Sequence, residues 1–217
     1  MRIVIGGMVR SGSTFSFNIA REVLLRSGTV TALSANSFPS ETAIREFEHI
    51  ILKTHAPELS VLQEIERGTA ICICTIRKPE DAIASWIRTF GLSLDDGITN
   101  IKQWLDWYTS IAPQTLTIDY QTIDQFPERA ISEIDRYITG TCMADANRAL
   151  AAKYDKSTLK AALDVLPNDL NAIDIGFSYY DKETFFHRRH ISSIQSRGAE
   201  IELNHAEIER IRTKLSE

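Results

Sequence analysis

Cysteine is scarce in this 217-residue chain, and its three occurrences, Cys72, Cys74 and Cys142, are too few and wrongly spaced for a zinc site or a disulfide framework. An odd count of this kind fits a reducing compartment. Long apolar runs are absent too. No stretch approaches the length needed to cross a bilayer, and the run ahead of Arg10 is too short for a secretory core, so the expectation is a cytoplasmic protein with no membrane partner. Nor is there an excess of positive charge. With 24 Lys and Arg against 29 Asp and Glu, the net charge of −5 argues against bulk attraction to nucleic acid, while leaving room for a local basic pocket around a small dianion. The remainder, 43% hydrophobic and 24% charged, suits one globular domain over residues 1–217 with one sizeable core.

A further absence is local. Gly7-Met-Val-Arg-Ser-Gly12-Ser13-Thr14 has the G-x-x-x-x-G spacing of a phosphate-cradling loop, but Ser13 stands where lysine would reach the outer phosphates of a nucleoside triphosphate. The loop's cation is instead Arg10. Before it, Arg2-Ile-Val-Ile-Gly6 reads as a short buried strand; after it, the apolar residues of Phe15 to Leu25 recur at helical spacing. In a strand–loop–helix, backbone N–H groups and the helix N-terminus converge on one spot and can hold a phosphate dianion. Two more buried strands follow. Ile50-Ile-Leu-Lys53-Thr54-His55 ends one, and Ala70-Ile-Cys-Ile-Cys-Thr-Ile-Arg77 is the next, with Cys72 and Cys74 on one face as small core residues. Pro79 then suits a helix start, where its missing N–H has no partner to lose.

The Arg-Ser-Gly-Ser-Thr-Phe run, the Lys-Thr-His strand end and the pairing of Arg77 with Ser85 eight residues on, in that order, resemble sulfotransferases that use 3′-phosphoadenosine 5′-phosphosulfate (PAPS). The resemblance extends to Thr115-Leu-Thr-Ile-Asp-Tyr120, similar to that family's later strand with its tyrosine, and to the Pro127–Ile138 helix. It implies a three-layer α/β fold with a mostly parallel sheet, PAPS as donor, adenosine 3′,5′-bisphosphate (PAP) as product, no metal, and a small-molecule or carbohydrate acceptor. It further implies that Arg10 and the amides of Ser11, Gly12, Ser13 and Thr14 hold the 5′-phosphate, Phe15 stacks on adenine, and Arg77 and Ser85 bind the 3′-phosphate. Arg188 and Arg189 would complete that clamp, in a segment where the glycines that many members carry do not align. Lys53 would touch the transferring sulfonate and His55 would act as general base, since neutral imidazole accepts a proton near pH 7. Many members carry lysine where Arg10 stands, and branches with arginine include some that use glutamate as base. Glu41 and His49 are rival bases here.

Two other readings stay open: a P-loop kinase, disfavoured by Ser13 and by no evident strand ending in an aspartate for Mg²⁺, and a silent nucleotide-binding module. The periodicity predicts strands at Arg2–Gly7, near Val30, His49–Thr54, Thr69–Ile76 and from Thr115. It predicts helices from the loop to Arg26, over Glu58–Arg67, Asp95–Ile111, Pro127–Ile138, Ala144–Tyr154 and Ser157–Leu166, and a last helix from Asn204 with Glu207 closing a capping box. Trp104 and Trp107 read as core. Alternating strands and helices place ligands at the carboxyl edge of the sheet, where Gly7, His55 and Arg77 fall. The aromatic-rich stretch from Pro167 to Arg197 reads as a lid or a surface loop. The chain's modest length suggests an open acceptor site, suited to a sugar or other extended acceptor.

Overall fold

The computed structural model describes residues 1–166, 172–174, 179–187 and 203–216. Its elements run β1 (Arg2–Gly6), α1 (Ser13–Leu24), β2 (Val30–Ser34), α2 (Glu41–Ile44), β3 (His49–Thr54), α3 (Leu59–Glu66), β4 (Ile71–Ile76), α4 (Pro79–Phe90), α5 (Leu94–Ile111), β5 (Thr115–Asp119), α6 (Tyr120–Gln125), α7 (Pro127–Thr139), α8 (Ala144–Lys153), α9 (Lys156–Asp164), β6 (Ala172–Asp174), β7 (Tyr179–Asp181) and α10 (His205–Ser216). The first five strands form one all-parallel sheet in the order β2-β3-β1-β4-β5, and β6 and β7 make a separate antiparallel pair.

The inner strands β1, β3 and β4 have apolar centres, Ile3–Ile5, Ile50–Leu52 and Ile71–Cys74, because both faces of the sheet are covered there. Alternation within β1 sends Ile3 and Ile5 into a core with α1, α7, α8 and α9, and sends Val4 into a second core with α3, α4, α5 and α10. Cys72 and Cys74 share the second face, as their spacing predicts, with sulfurs 3.7 Å apart. Trp104 is core as well, 1% exposed, and its indole N–H donates to the Gly6 carbonyl at 3.0 Å. Trp104→Phe keeps most of the bulk but removes this buried hydrogen bond. The expected cost is about 1–3 kcal/mol, read by urea denaturation.

Several boundaries shift. β1 stops at Gly6, because Gly7 is already turning into the loop. β5 ends at Asp119, whose carboxylate accepts from Gln121 N–H at 2.7 Å, so Tyr120 opens helix α6 rather than closing a strand. A strand ending in an aspartate therefore does exist, but that aspartate is engaged as a helix cap. At α10 the predicted capping box is present: Glu207 N–H donates to Asn204 at 3.0 Å, and Asn204 N–H donates to Glu207 at 2.8 Å. The stretch expected as lid or loop contains the β6–β7 pair and residues 182–187; its remaining residues, and with them Arg188 and Arg189, lie outside the described residues.

Candidate functional site

Parallel strands that end together bring their following residues to one edge. There Gly7 follows β1, His55 follows β3 and Arg77 follows β4. The loop between β1 and α1 is tied to its neighbours from inside. Ser11 is buried, and its hydroxyl bonds the Met8 carbonyl at 2.5 Å and the Thr75 carbonyl and hydroxyl at 2.9 and 2.6 Å; Met8 N–H donates to the Thr75 carbonyl at 2.9 Å. Ser11 N–H donates to the Met8 carbonyl at 3.2 Å, so the Ser11 side chain and amide both serve the loop itself. The helical turn that starts at Gly12 contributes the amides of Ser13, Thr14 and Phe15, which by helix geometry have no carbonyl four residues back to bond. Gly12 holds φ at 94°, a left-handed value that favours glycine.

Arg10 sits at the centre, also in a left-handed conformation at φ 60°. Its Nε donates to the Ser85 hydroxyl at 3.1 Å, its guanidinium lies 5.5 Å from the centre of the Phe90 ring, and its own carbonyl accepts from Arg77 at 3.2 Å. Burial, then the nearby Arg77, lower its pKa to about 10, which still leaves a cation at neutral pH. Two clefts open from it. One is lined by Gly12, Phe15, Arg77, Ser85, Tyr120 and Lys156 among others; the second contains Lys53, His55, Trp86, Phe90, Phe185 and His187, and Arg10 and Gly12 belong to both.

In the second cleft His55 Nδ1 lies 2.6 Å from the Gly7 carbonyl. A carbonyl only accepts, so Nδ1 carries the proton and Nε2 keeps its lone pair when the ring is neutral. Burial, then the charge of Lys53, push the His55 pKa down to about 4, against a smaller upward pull from Gly7. Lys53 is lowered to about 8 by burial and by Arg10. The Trp107 indole donates to the His55 carbonyl at 3.1 Å, fixing the backbone there.

All the described candidates thus converge: Arg10, Ser11, Gly12, Ser13, Thr14, Phe15, Lys53, His55, Arg77 and Ser85 line the two clefts or form the loop between them. The rival bases do not. Glu41 pairs with Arg2 and His49 begins β3, both at the opposite edge of the sheet. No sequence signal marks Tyr120 as a ring beneath Arg77, at 4.2 Å, or brings Lys156 to the first cleft; Trp86 and Phe90 form an aromatic wall in the second with Phe185, which belongs to the stretch read as a lid or surface loop. The sequence also reads Trp107 as plain core. Helical spacing marks such residues as inward-facing and says nothing of which backbone carbonyl or cleft they meet. The Trp86 indole N–H is buried with no partner among the described residues. Among those residues, too, no cluster of three or more His, Cys, Asp or Glu is placed to hold a metal ion, and no helix is long and apolar enough to cross a membrane.

A P-loop-like α/β domain, with a glycine-bounded loop at the carboxyl edge of a 2-3-1-4-5 sheet, is the class that the fold defines. Among solved structures it has the fold of the sulfotransferases. Mouse sulfotransferase SULT7A1 complexed with PAP superimposes with a TM-score of 0.67 at 10% identity, over 99% of this chain and 82% of that one. Retinol dehydratase is similarly close, at 0.64 in complex with androsterone and PAP and at 0.62 with retinol and PAP; each is 12% identical over 99% of this chain and 79% and 80% of the other. No protein-family model and no curated protein matches the chain by sequence.

Proposed function

We propose that the protein transfers a sulfuryl group from PAPS to a hydroxyl of a small acceptor. The observation that carries this reading is Arg10 at the junction of two clefts, one holding the pair Arg77 and Ser85 and the other holding a neutral His55 beside Lys53. A 3′-phosphate fits the first, and the amides at the start of α1 fit a 5′-phosphate. His55 Nε2 takes the acceptor's proton as its oxygen bonds to sulfur and the bond from sulfur to the 5′-phosphate oxygen breaks. Lys53 and Arg10 offset charge on the transferring and leaving oxygens. Guanidinium does not give up its proton in this range, so Arg10 acts by charge and hydrogen bonding.

Val9, Trp86, Phe90 and Phe185 beside His55 support an acceptor with an apolar body, and the unpartnered Trp86 N–H suits a second polar group on it. That wall, with the androsterone and retinol of the structural relatives, supports a small molecule over the extended sugar that chain length suggests. The test incubates the protein with labelled PAPS, a chelator and a panel of phenolic, alicyclic and sugar hydroxyl acceptors. Labelled sulfate esters formed with an equal yield of PAP are expected; phosphoryl transfer from ATP with Mg²⁺ in place of it would overturn the reading.

A further inference from the structure

We propose that Lys156, the first residue of α9, is a further cation of the 3′-phosphate site beside Arg77, held in reserve by Asp124 until the nucleotide binds. The inference rests on the sulfotransferase reading and adds to it a residue outside the motifs that suggested that reading. Lys156 lines the same cleft as Arg77, Ser85 and Phe15. One ring ties it to Arg77: the Tyr120 ring, which lines the cleft as well, lies 4.2 Å from the Arg77 guanidinium and 5.8 Å from the Lys156 ammonium, so both cations border the same cleft around one side chain.

The charge of the cleft points the same way. Arg10, Arg88 and Lys156 all lie close enough to Arg77 for its positive charge to lower their proton affinity. Cations crowded like this destabilise one another until an anion joins them. Two carboxylates line the cleft against them. Asp155 is committed to capping α9, accepting from the amides of Ser157 at 2.9 Å and Thr158 at 3.3 Å. Asp124 is ion-paired with Lys156. A phosphate dianion entering beside Arg77 competes with Asp124 for the Lys156 ammonium, and a dianion with several acceptor oxygens is the stronger partner.

The experiment titrates wild type and variants with PAP and, separately, with adenosine 5′-monophosphate, which lacks only the 3′-phosphate. Lys156→Met is expected to weaken PAP binding by about 10- to 100-fold and to leave the monophosphate within about twofold, with Lys156→Arg restoring most of the loss. Asp124→Asn removes the competitor and is expected to tighten PAP binding several-fold, a gain that a merely structural Lys156–Asp124 pair would not produce. Equal losses for both nucleotides in Lys156→Met, or unchanged PAP binding there while Arg77→Ala loses it, would overturn the proposal and leave the parent reading standing. Wild type that fails to prefer PAP over the monophosphate would overturn both together. Thermal melts check that each variant is folded, and Asp124→Asn decides the matter if Lys156→Met is not.

Discussion

His55→Ala is expected to lower sulfuryl transfer by about 10²- to 10⁴-fold while PAP binds as before. The asymmetry follows from placement: His55 lies in the cleft with Lys53 and the aromatic wall, and Arg77, Ser85 and Phe15 lie in the other. Its pH signature is equally specific. The base must be neutral, and burial with Lys53 close by puts its pKa at about 4, so kcat/KM stays level through neutral pH and falls only as pH drops through about 4. Lys53 must be charged, and its pKa of about 8 places an alkaline fall as pH rises through that value. A pH–rate profile of wild type therefore shows a plateau between limbs near 4 and 8. His55→Ala loses the acid limb and keeps the alkaline one. An acid limb that persists in His55→Ala would assign the base to another group.

Gly7→Ala is expected to weaken PAP binding by at least about 100-fold and to destabilise the fold by about 1–3 kcal/mol, the usual cost of overpacking. A Cβ on Gly7 would stand 2.3 Å from the Thr75 hydroxyl and 2.4 Å from the Ser13 Cβ. Neither can yield cheaply. Thr75 is buried within β4 and bonded to Ser11, and Ser13 is the buried first residue of α1. The strand or the helix N-terminus must move, and with it the amides proposed to hold the 5′-phosphate and the Gly7 carbonyl that sets the His55 tautomer. Gly68→Ala is the control. Nothing lies within 4 Å of its Cβ, so only its φ of 71° is penalised, at roughly 1–2 kcal/mol, with PAP binding unchanged. Calorimetry and urea denaturation on both variants separate the two effects.

What the chain disclosed in advance was local. β3 falls at His49–Thr54 around its apolar Ile50–Leu52 centre, and the Asn204–Glu207 box marks the start of α10, because burial on both faces and reciprocal capping each leave a short-range signature. The edge shared by Gly7, His55 and Arg77 follows from strand–helix alternation alone. Tyr120 was legible as an aromatic in a fixed place but not as a helix opener, since Asp119 acts there through a side-chain cap within an apparent strand. Lys156 was out of reach for another reason: it comes to its cleft from α9, and no spacing in the sequence encodes a contact across so many residues. The engagement of Ser11 was hidden in the same way: its amide, expected at a 5′-phosphate, donates to the Met8 carbonyl, and its hydroxyl bonds Thr75 on the neighbouring strand.

The cleft around Arg77 and Ser85 is proposed to hold a 3′-phosphorylated adenosine nucleotide. Calorimetric titration of the protein with PAP in the presence of a chelator, alongside Arg77→Ala and alongside ADP with Mg²⁺, tests it most directly. PAP is expected to bind without metal, more tightly than ADP with Mg²⁺, and to lose about 10- to 100-fold in affinity in Arg77→Ala. No PAP binding by wild type, or a preference for ADP with Mg²⁺, would contradict it.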